Sequence, residues 1–196
     1  MGVFNSKPTQ QQQQPEGKRY WYRDGFLLTN DKTYLCPKVV NDAFDSDLMW
    51  WNEPLGVEQM GKLLKNCLTV GVYAVPETEE QMKKNGPPRR KNGKDLRMVG
   101  FARLVTDYVS FAYLTDVFVL PDSQRKGLAS WMMRCIKELV DEWPDLRGLM
   151  LMTHDKAAAR MYETTLGALD FDKGPSAGMM MLEMAGPGEK ETPKDH

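Results

Sequence analysis

The stretch Leu114-Thr115-Asp116-Val117-Phe118-Val119-Leu120-Pro121-Asp122-Ser123-Gln124-Arg125-Lys126-Gly127-Leu128-Ala129-Ser130-Trp131-Met132-Met133 changes its hydrophobic period part-way along. Val117, Phe118, Val119 and Leu120 are β-formers, and Pro121 stops the strand they predict. From Trp131 the spacing is helical: Trp131, Cys135, Leu139 and Trp143 step by four, with Met132, Ile136 and Val140 beside them. A strand that becomes a helix across so short a loop puts the loop at a helix N-terminus. Backbone N–H groups there lack partners, and the helix dipole adds partial positive charge. Such a place suits an anion, phosphate above all. Gly127 lets backbone approach a ligand closely, and Ala129 keeps the next position small. Arg125 and Lys126 add charge for the same anion. Gln124 to Ala129 also reads as an ordinary strand-to-helix turn capped by Ser123 or Ser130. It is not a P-loop, because Gly-x-x-x-x-Gly-Lys-Ser/Thr is absent.

The 196 residues suit one domain with length left for tails. Such a chain buries a core without disulfides. Hydrophobic residues at 41% and charged residues at 27% place it among globular proteins. A formal net charge of -1 gives no global field for nucleic acid or an acidic partner. Cys36, Cys67 and Cys135 are odd in number and far apart, with no CxxC and no metal spacing. That usage fits a reduced compartment, and a cytoplasmic setting is expected. His154 and the final His196 are the only histidines, so a histidine-based metal site or triad has little to work with, and no metal is expected. No apolar run reaches the roughly 20 residues of a membrane span.

Residues 1–17 are polar and include Gln10 to Gln14, which predicts a disordered tail. Met1-Gly2-Val3-Phe4-Asn5-Ser6 fits the N-myristoylation pattern, and membrane contact would come only through that lipid; a chance match to a loose pattern is the favoured reading. A folded domain is expected over 18–184 and a second tail over 185–196. Arg23 to Asn30 predicts a first strand, Val39 to Asp47 a helix, and Gly56 to Cys67 an amphipathic helix. That helix has Val57, Met60, Leu63, Leu64 and Cys67 on one face. Thr69 to Val75 predicts a second strand. Residues 76–95 change composition, with Gly86-Pro87-Pro88 followed by Arg89-Arg90-Lys91-Asn92-Gly93-Lys94, and read as an exposed basic loop. Without interleaved aromatics it offers nucleic acid no stacking surface. Arg97 to Asp107 and Phe111 to Leu120 are the third and fourth strands. On the fourth, Tyr113, Thr115, Val117 and Val119 alternate with Ala112, Leu114, Asp116 and Phe118 across its two faces. A helix follows over Ser130 to Glu142, a fifth strand over Leu149 to Thr153, and a helix over Asp155 to Thr165. Ala157, Ala158, Met161 and Tyr162 face inward on that helix, and Gly167 follows it. Leu169 to Phe171 and Gly178 to Met184 are read as the last strands.

This order of elements predicts a mixed α/β chain of α+β type. At this point the residues resemble the GCN5-related N-acetyltransferase (GNAT) family. Gln124-Arg125-Lys126-Gly127-Leu128-Ala129 fits that family's Gln/Arg-x-x-Gly-x-Gly/Ala pyrophosphate motif. Val117 to Pro121 matches its Val-x-Val-x-Pro strand end, and Asp155 to Gly167 is similar to its Asn-x-x-Ala-x-x-x-Tyr-Glu-x-x-Gly helix. The resemblance covers about Phe26 to Glu183, with Asp155 in place of the usual asparagine and one extra residue before Gly167. The stretch Gly100 to Leu114 resembles that of a small, little-characterised subgroup.

The resemblance implies a mostly antiparallel sheet splayed between its fourth and fifth strands, with helices on both faces. It implies acetyl-CoA as cosubstrate, with the pantetheine arm in the gap. Backbone groups of Val117, Phe118 and Val119 would hold that arm and the thioester oxygen, while Gln124, Arg125, Lys126, Gly127, Leu128, Ala129 and Ser130 would clamp the pyrophosphate. Asp155 would also touch the cosubstrate. Tyr162 is the implied acid for the departing thiolate, with a core tyrosine on an amphipathic helix the other reading. Asp116, Tyr113 and His154 are open as proton acceptors for the incoming amine; Asp116 reads equally as a residue held by Arg103 or a backbone cap, and His154 reads rather as a cap of the short helix after it. Trp50, Trp51 and Tyr113 are the implied acceptor-pocket residues, with core packing the other reading of the tryptophans. The expected activity is transfer of acetyl to a primary amine on a small molecule or a peptide. A catalytically weak acyl-CoA-binding module and a protein-lysine acetyltransferase are the alternatives. Self-association is left open.

Overall fold

The computed structural model describes residues 17–88, 96–180, 182 and 184. Six strands form one sheet whose spatial order is the chain order. They are β1 (Tyr20–Arg23), β2 (Phe26–Thr29), β3 (Leu68–Ala74), β4 (Arg97–Thr106), β5 (Phe111–Val119) and β6 (Gly148–Met150). Neighbours are antiparallel except β5 and β6. Those two run parallel because α4 (Leu128–Asp141) returns the chain between them. Their pairing covers only Phe111–Gly148, Ala112–Leu149 and Tyr113–Met150. Those pairs take up the whole of β6, so β5 runs on past Tyr113 with that edge of the sheet open, at the place where the splay is expected.

Both sheet faces are covered, as expected for this fold class. On one face α4 and α5 (Lys156–Leu166) pack on Leu28, Val70, Val99, Ala102, Leu104, Ala112 and Leu114. On the other, α1 (Pro37–Phe44), α2 (Val57–Lys65) and α3 (Glu79–Asn85) bring Val40, Phe44, Met60, Leu64 and Met82 onto Leu27, Tyr73, Phe101 and Phe118. Eight of the fourteen α4 residues are buried, from Leu128 to Val140. Burying each large apolar side chain contributes about 1.5–3 kcal/mol, so this helix and the loop that opens it are firmly seated.

The first strand is a hairpin rather than one strand over Arg23 to Asn30. Asp24 and Gly25 both take left-handed backbone, φ 48° and 78°, as a tight two-residue turn between β1 and β2 requires. The hairpin lies across α4. The Arg19 guanidinium donates two hydrogen bonds to Glu142, at 2.7 and 2.6 Å, and Trp21 Nε1 donates to Glu138 at 2.7 Å.

Several boundaries differ from the sequence reading. The first helix starts at Pro37, where proline's missing N–H has no cost, and ends at Phe44; Asp47 falls in a separate 3-10 turn. Val57 opens α2 and is exposed, so it does not share the buried face of Met60 and Leu64. Residues 76–95 are not all loop. Thr78 and Gln81 form a reciprocal capping box that starts α3, and Met82 is buried against the second core. The basic run 89–94 and the tail residues 1–16 and 185–196 lie outside the described residues. Ala157 is exposed at the start of α5.

The last two strands do not form among the described residues. Phe171–Lys173 is a 3-10 turn, and Met179, Met180, Leu182 and Met184 are exposed. Met179 to Met184 contains no β-branched residue and no alternation to fix a register.

The face assignment along β5 also changes. Phe101 pairs with Phe118 but Arg103 pairs with Thr115, so β5 carries one extra residue between them. Asp116, at φ 51°, absorbs it as a β-bulge. Ala112 and Leu114 therefore face the first core and Phe118 the second, although all three are even-numbered.

Candidate active site

The candidate residues on β5 and in the loop after it lie where β5 runs on past the end of β6. Past Val119 the chain makes a 3-10 turn over Pro121–Ser123 and enters α4 through Gly127. Gly127 is the N-cap residue, in left-handed backbone at φ 69°, and Arg125 is also left-handed at φ 60°. Neither serine caps the helix. Ser123 is buried and donates to Asp122 at 2.9 Å, while Ser130 already lies inside α4. With a glycine cap and no acidic residue in the first turn, the opening N–H groups keep their capacity for an anion.

Polar contacts shape this loop. The Gln124 side-chain amide donates to the Val119 carbonyl at 2.9 Å and ties the loop to the strand end. Lys126 Nζ donates to the Asp122 carbonyl at 3.3 Å and lies 5.7 Å from the Phe26 ring centre. Arg97 pairs with Asp122. Arg23, from the N-terminal hairpin, donates to the Gly127 carbonyl at 3.4 Å, and a Cβ on Gly127 would meet its guanidinium at 3.4 Å. The loop is a cradle of backbone donors with three cations around it: Arg23, Arg125 and Lys126. That arrangement fits a diphosphate. Leu128 is buried, and Ala129 and Ser130 are half-buried on the helix.

At the bulge, Asp116 is buried and its carboxylate is engaged on several sides. It pairs with Arg103, accepts from Asn52 Nδ2 at 3.0 Å and from the Thr115 hydroxyl at 3.3 Å. Val117 packs half-buried on the first core, Phe118 lies 5.8 Å from Phe101 in the second, and Val119 is buried. No strand pairs with the outer edge of β5 from Leu114 onward among the described residues.

Tyr162 is buried on α5 in the first core. Burial, and then the nearby Asp155 carboxylate, push its phenol above the ordinary tyrosine range, so it stays protonated at neutral pH. Asp155 itself is the N-cap of α5 and accepts from the Ala157 N–H at 2.7 Å. Tyr113 is half-buried, opposite Val105 on β4 and Met150 on β6. Across the sheet from Tyr162, Trp50 lies 5.7 Å from Trp51 and 5.5 Å from His154, edge to face in both cases.

The structure thus brings Asp116 together with the tryptophan turn through Asn52, and Gly127 together with Arg23. Sequence reasoning missed Arg23 and Asn52. The Asp24-Gly25 turn between two β-forming runs was a usable signal for Arg23. Asn52 had none, because its partner lies 64 positions away.

A separate cleft of about 350 Å³ is lined by Arg19, Tyr108, Val109, Glu142 and Trp143, at the C-terminal end of α4. It is a helix length, roughly 20 Å, from the loop at the other end. No group of three or more potential metal ligands occurs among the described residues, and no described helix is long and apolar enough to cross a membrane.

The profile of the Acetyltransferase (GNAT) family matches residues 62–168, more than half of the chain. The Gibberella zeae protein named "Putative acetyltransferase FG08082" is 33% identical over 171 residues, covering 86% of this chain and 93% of its own length. Among solved structures, a GNAT-family protein of Xanthomonas campestris pv. campestris superposes with a TM-score of 0.54 at 25% identity, over 83% of this chain and 94% of its own. Protein SA2161 of Staphylococcus aureus shares the fold at 19% identity and a TM-score of 0.53, over 81% and 99% of the two chains.

Proposed function

The chain belongs to the GNAT acetyltransferase family, and on that premise we propose that it moves the acetyl group of acetyl-CoA to a primary amine by direct attack. The carrying observation is the glycine-capped start of α4, with Arg23, Arg125 and Lys126 around it, following the end of β5 that runs on past β6. In this reading the N–H groups of Leu128, Ala129 and Ser130 take the cosubstrate pyrophosphate, and Gln124 keeps the loop fixed to Val119. Backbone at Val117 and Phe118, just past the bulge, supplies the donor for the charge that builds on the carbonyl oxygen.

Bound acetyl-CoA supplies an activated acyl carbon: the amine nitrogen bonds to it, its bond to sulfur breaks, and sulfur leaves as the thiol. Tyr162 provides the proton for that sulfur and regains one from solvent, which its raised pKa favours. The proton lost by the amine goes to water at the acceptor side. His154 is exposed and stands beside that path. Asp116 is engaged with Arg103, Asn52 and Thr115, so we assign it to holding the bulge in shape rather than to carrying the proton. Asp155 caps α5 and acts on the site through Tyr162.

Calorimetry with acetyl-CoA and thiol release with a panel of amines test the reading together. Binding without thiol release from any amine would leave only an acyl-CoA-binding module. No binding at millimolar acetyl-CoA would overturn the donor site itself.

A further inference from the structure

We propose that Trp50, Trp51 and His154 form the wall of the acceptor subsite, that Asn52 fixes this wall to the reacting end of β5, and that the acceptor is a primary amine on a flat apolar body. The proposal rests on the acetyl-transfer reading above and deepens it.

The two tryptophans occupy the tip of a tight turn fastened at both ends. The Asn52 N–H donates to the Met49 carbonyl at 2.8 Å, which makes Trp50 and Trp51 the central residues. On one side Met49 is fully buried in the second core. On the other, the Asn52 side chain donates to Asp116 at 3.0 Å. The tip is therefore held at the bulge, where β5 runs on past the end of β6. Trp50 also reaches the opposite arm, because His154 lies in the connection from β6 to α5. The wall spans the opening on one face of the sheet, while Tyr162 lies in the core of the other face. An amine on the wall and an acid at Tyr162 would then approach the reacting carbon from opposite sides.

Its chemistry selects the body of the acceptor. Trp50 and Trp51 stay 40% and 42% exposed although their turn is fixed, and Met152, two residues before His154, is 59% exposed. A flat apolar group laid on this surface removes it from water. The charge pattern favours a cation on that body. Residues 39–61 contain Asp42, Asp45, Asp47, Glu53 and Glu58 but no lysine or arginine. Lys38 and Lys62 neutralise Asp42 and Glu58 at 2.6 and 3.0 Å, and Arg103 neutralises Asp116. Asp45 and Asp47 remain just before the turn and draw a cation toward it, where an indole face adds a cation–π attraction. A polyamine chain, interrupted by charged nitrogens, would cover less of the exposed indole surface than a flat apolar body does.

Thiol release is measured with 2-phenylethylamine, spermidine and Nα-acetyl-lysine amide, beside calorimetry with acetyl-CoA. The expected kcat/KM for 2-phenylethylamine exceeds the other two by about tenfold or more, the scale of discrimination one apolar surface supplies. Trp50→Ala and Asn52→Ala are expected to erase that ratio by raising KM for 2-phenylethylamine, with acetyl-CoA affinity unchanged. Trp51→Ala serves the same purpose should Trp50→Ala fail to fold. Spermidine or the lysine amide matching 2-phenylethylamine overturns the proposal, as does a ratio that survives these substitutions. Silence of all three amines with acetyl-CoA bound overturns it alone. Failure to bind acetyl-CoA overturns the transferase reading and this proposal with it.

Discussion

On one side of β5 the donor loop runs unbroken from Pro121 into α4 and is built largely from backbone. On the other side the tryptophan turn reaches the same strand through Asn52, a hydrogen bond between residues 64 positions apart. The first is set by local rules: a proline stop, a left-handed glycine and an amphipathic helix. The second is set by tertiary contacts, a buried ion pair above all. Damage to the first should therefore alter ligand affinity while the fold persists, and damage to the second should reach stability.

The largest expected effect follows from that contrast. Arg103→Met leaves Asp116 buried without its cation, and breaking such a pair costs about 3 kcal/mol or more of stability in urea unfolding. The pair at the donor loop, Arg97 with Asp122, is exposed on both partners. Arg97→Met is expected to cost under about 1 kcal/mol. Equal losses from the two substitutions would erase the distinction between the sides.

Tyr162→Phe comes next and separates chemistry from binding. Removal of a proton donor lowers kcat by about 100-fold, with acetyl-CoA affinity kept within about twofold. An unchanged kcat would remove Tyr162 from the reaction and leave it as a core residue.

The same contrast explains how much of the molecule the sequence disclosed. Strand, loop and helix around Gly127 were legible because each signal lies within a few residues of the feature it sets. The fold class followed from their order. The Asp116 bulge was not legible, because an extra residue in one strand shows only against its partner, here between Phe101 and Arg103. That single residue moved Phe118 to the opposite face from Ala112 and Leu114. The Asp24-Gly25 turn was a readable signal passed over, and the Thr78/Gln81 capping box was another.

Asp31 offers a smaller test of a tertiary polar network, at the N-terminal hairpin. It caps the 3-10 turn leading to α1, accepting from the Thr33 N–H at 3.0 Å, and it also takes bonds from Lys18 and the Tyr20 hydroxyl. Burial works to raise its pKa, but Lys18, Thr33 and Tyr20 outweigh burial and hold it at about 2. A folded pKa below the unfolded value stabilises the protein above pH 4 or so, and that stability is lost as pH falls through 2. The gap corresponds to about 2 kcal/mol. Asp31→Asn is expected to lose that much at pH 7 and to converge on the native protein near pH 2, in urea titrations across pH. A gap that persists at pH 2 would place the loss in packing instead of charge.

The smallest effect belongs to the donor loop and tests whether it is governed by backbone conformation. Gly127 sits at φ 69°, where any Cβ clashes with its own backbone at a cost of roughly 1–2 kcal/mol. The surroundings add little, because the nearest atoms, at 3.4 Å and beyond, are the flexible end of Arg23. Gly127→Ala is therefore expected to lower stability by about 1 kcal/mol through strain alone. Relief of that strain turns the first N–H groups of α4 away from a common point, so acetyl-CoA affinity should fall by about tenfold, with kcat at saturation preserved. Arg23→Ala separates the two contributions, since it removes a cation and leaves the backbone alone. If Arg23→Ala lowers affinity as much as Gly127→Ala does, charge holds the diphosphate and the backbone cradle is secondary. If only Gly127→Ala does so, the donor side depends on the geometry of one residue, in contrast to the network around Asp116.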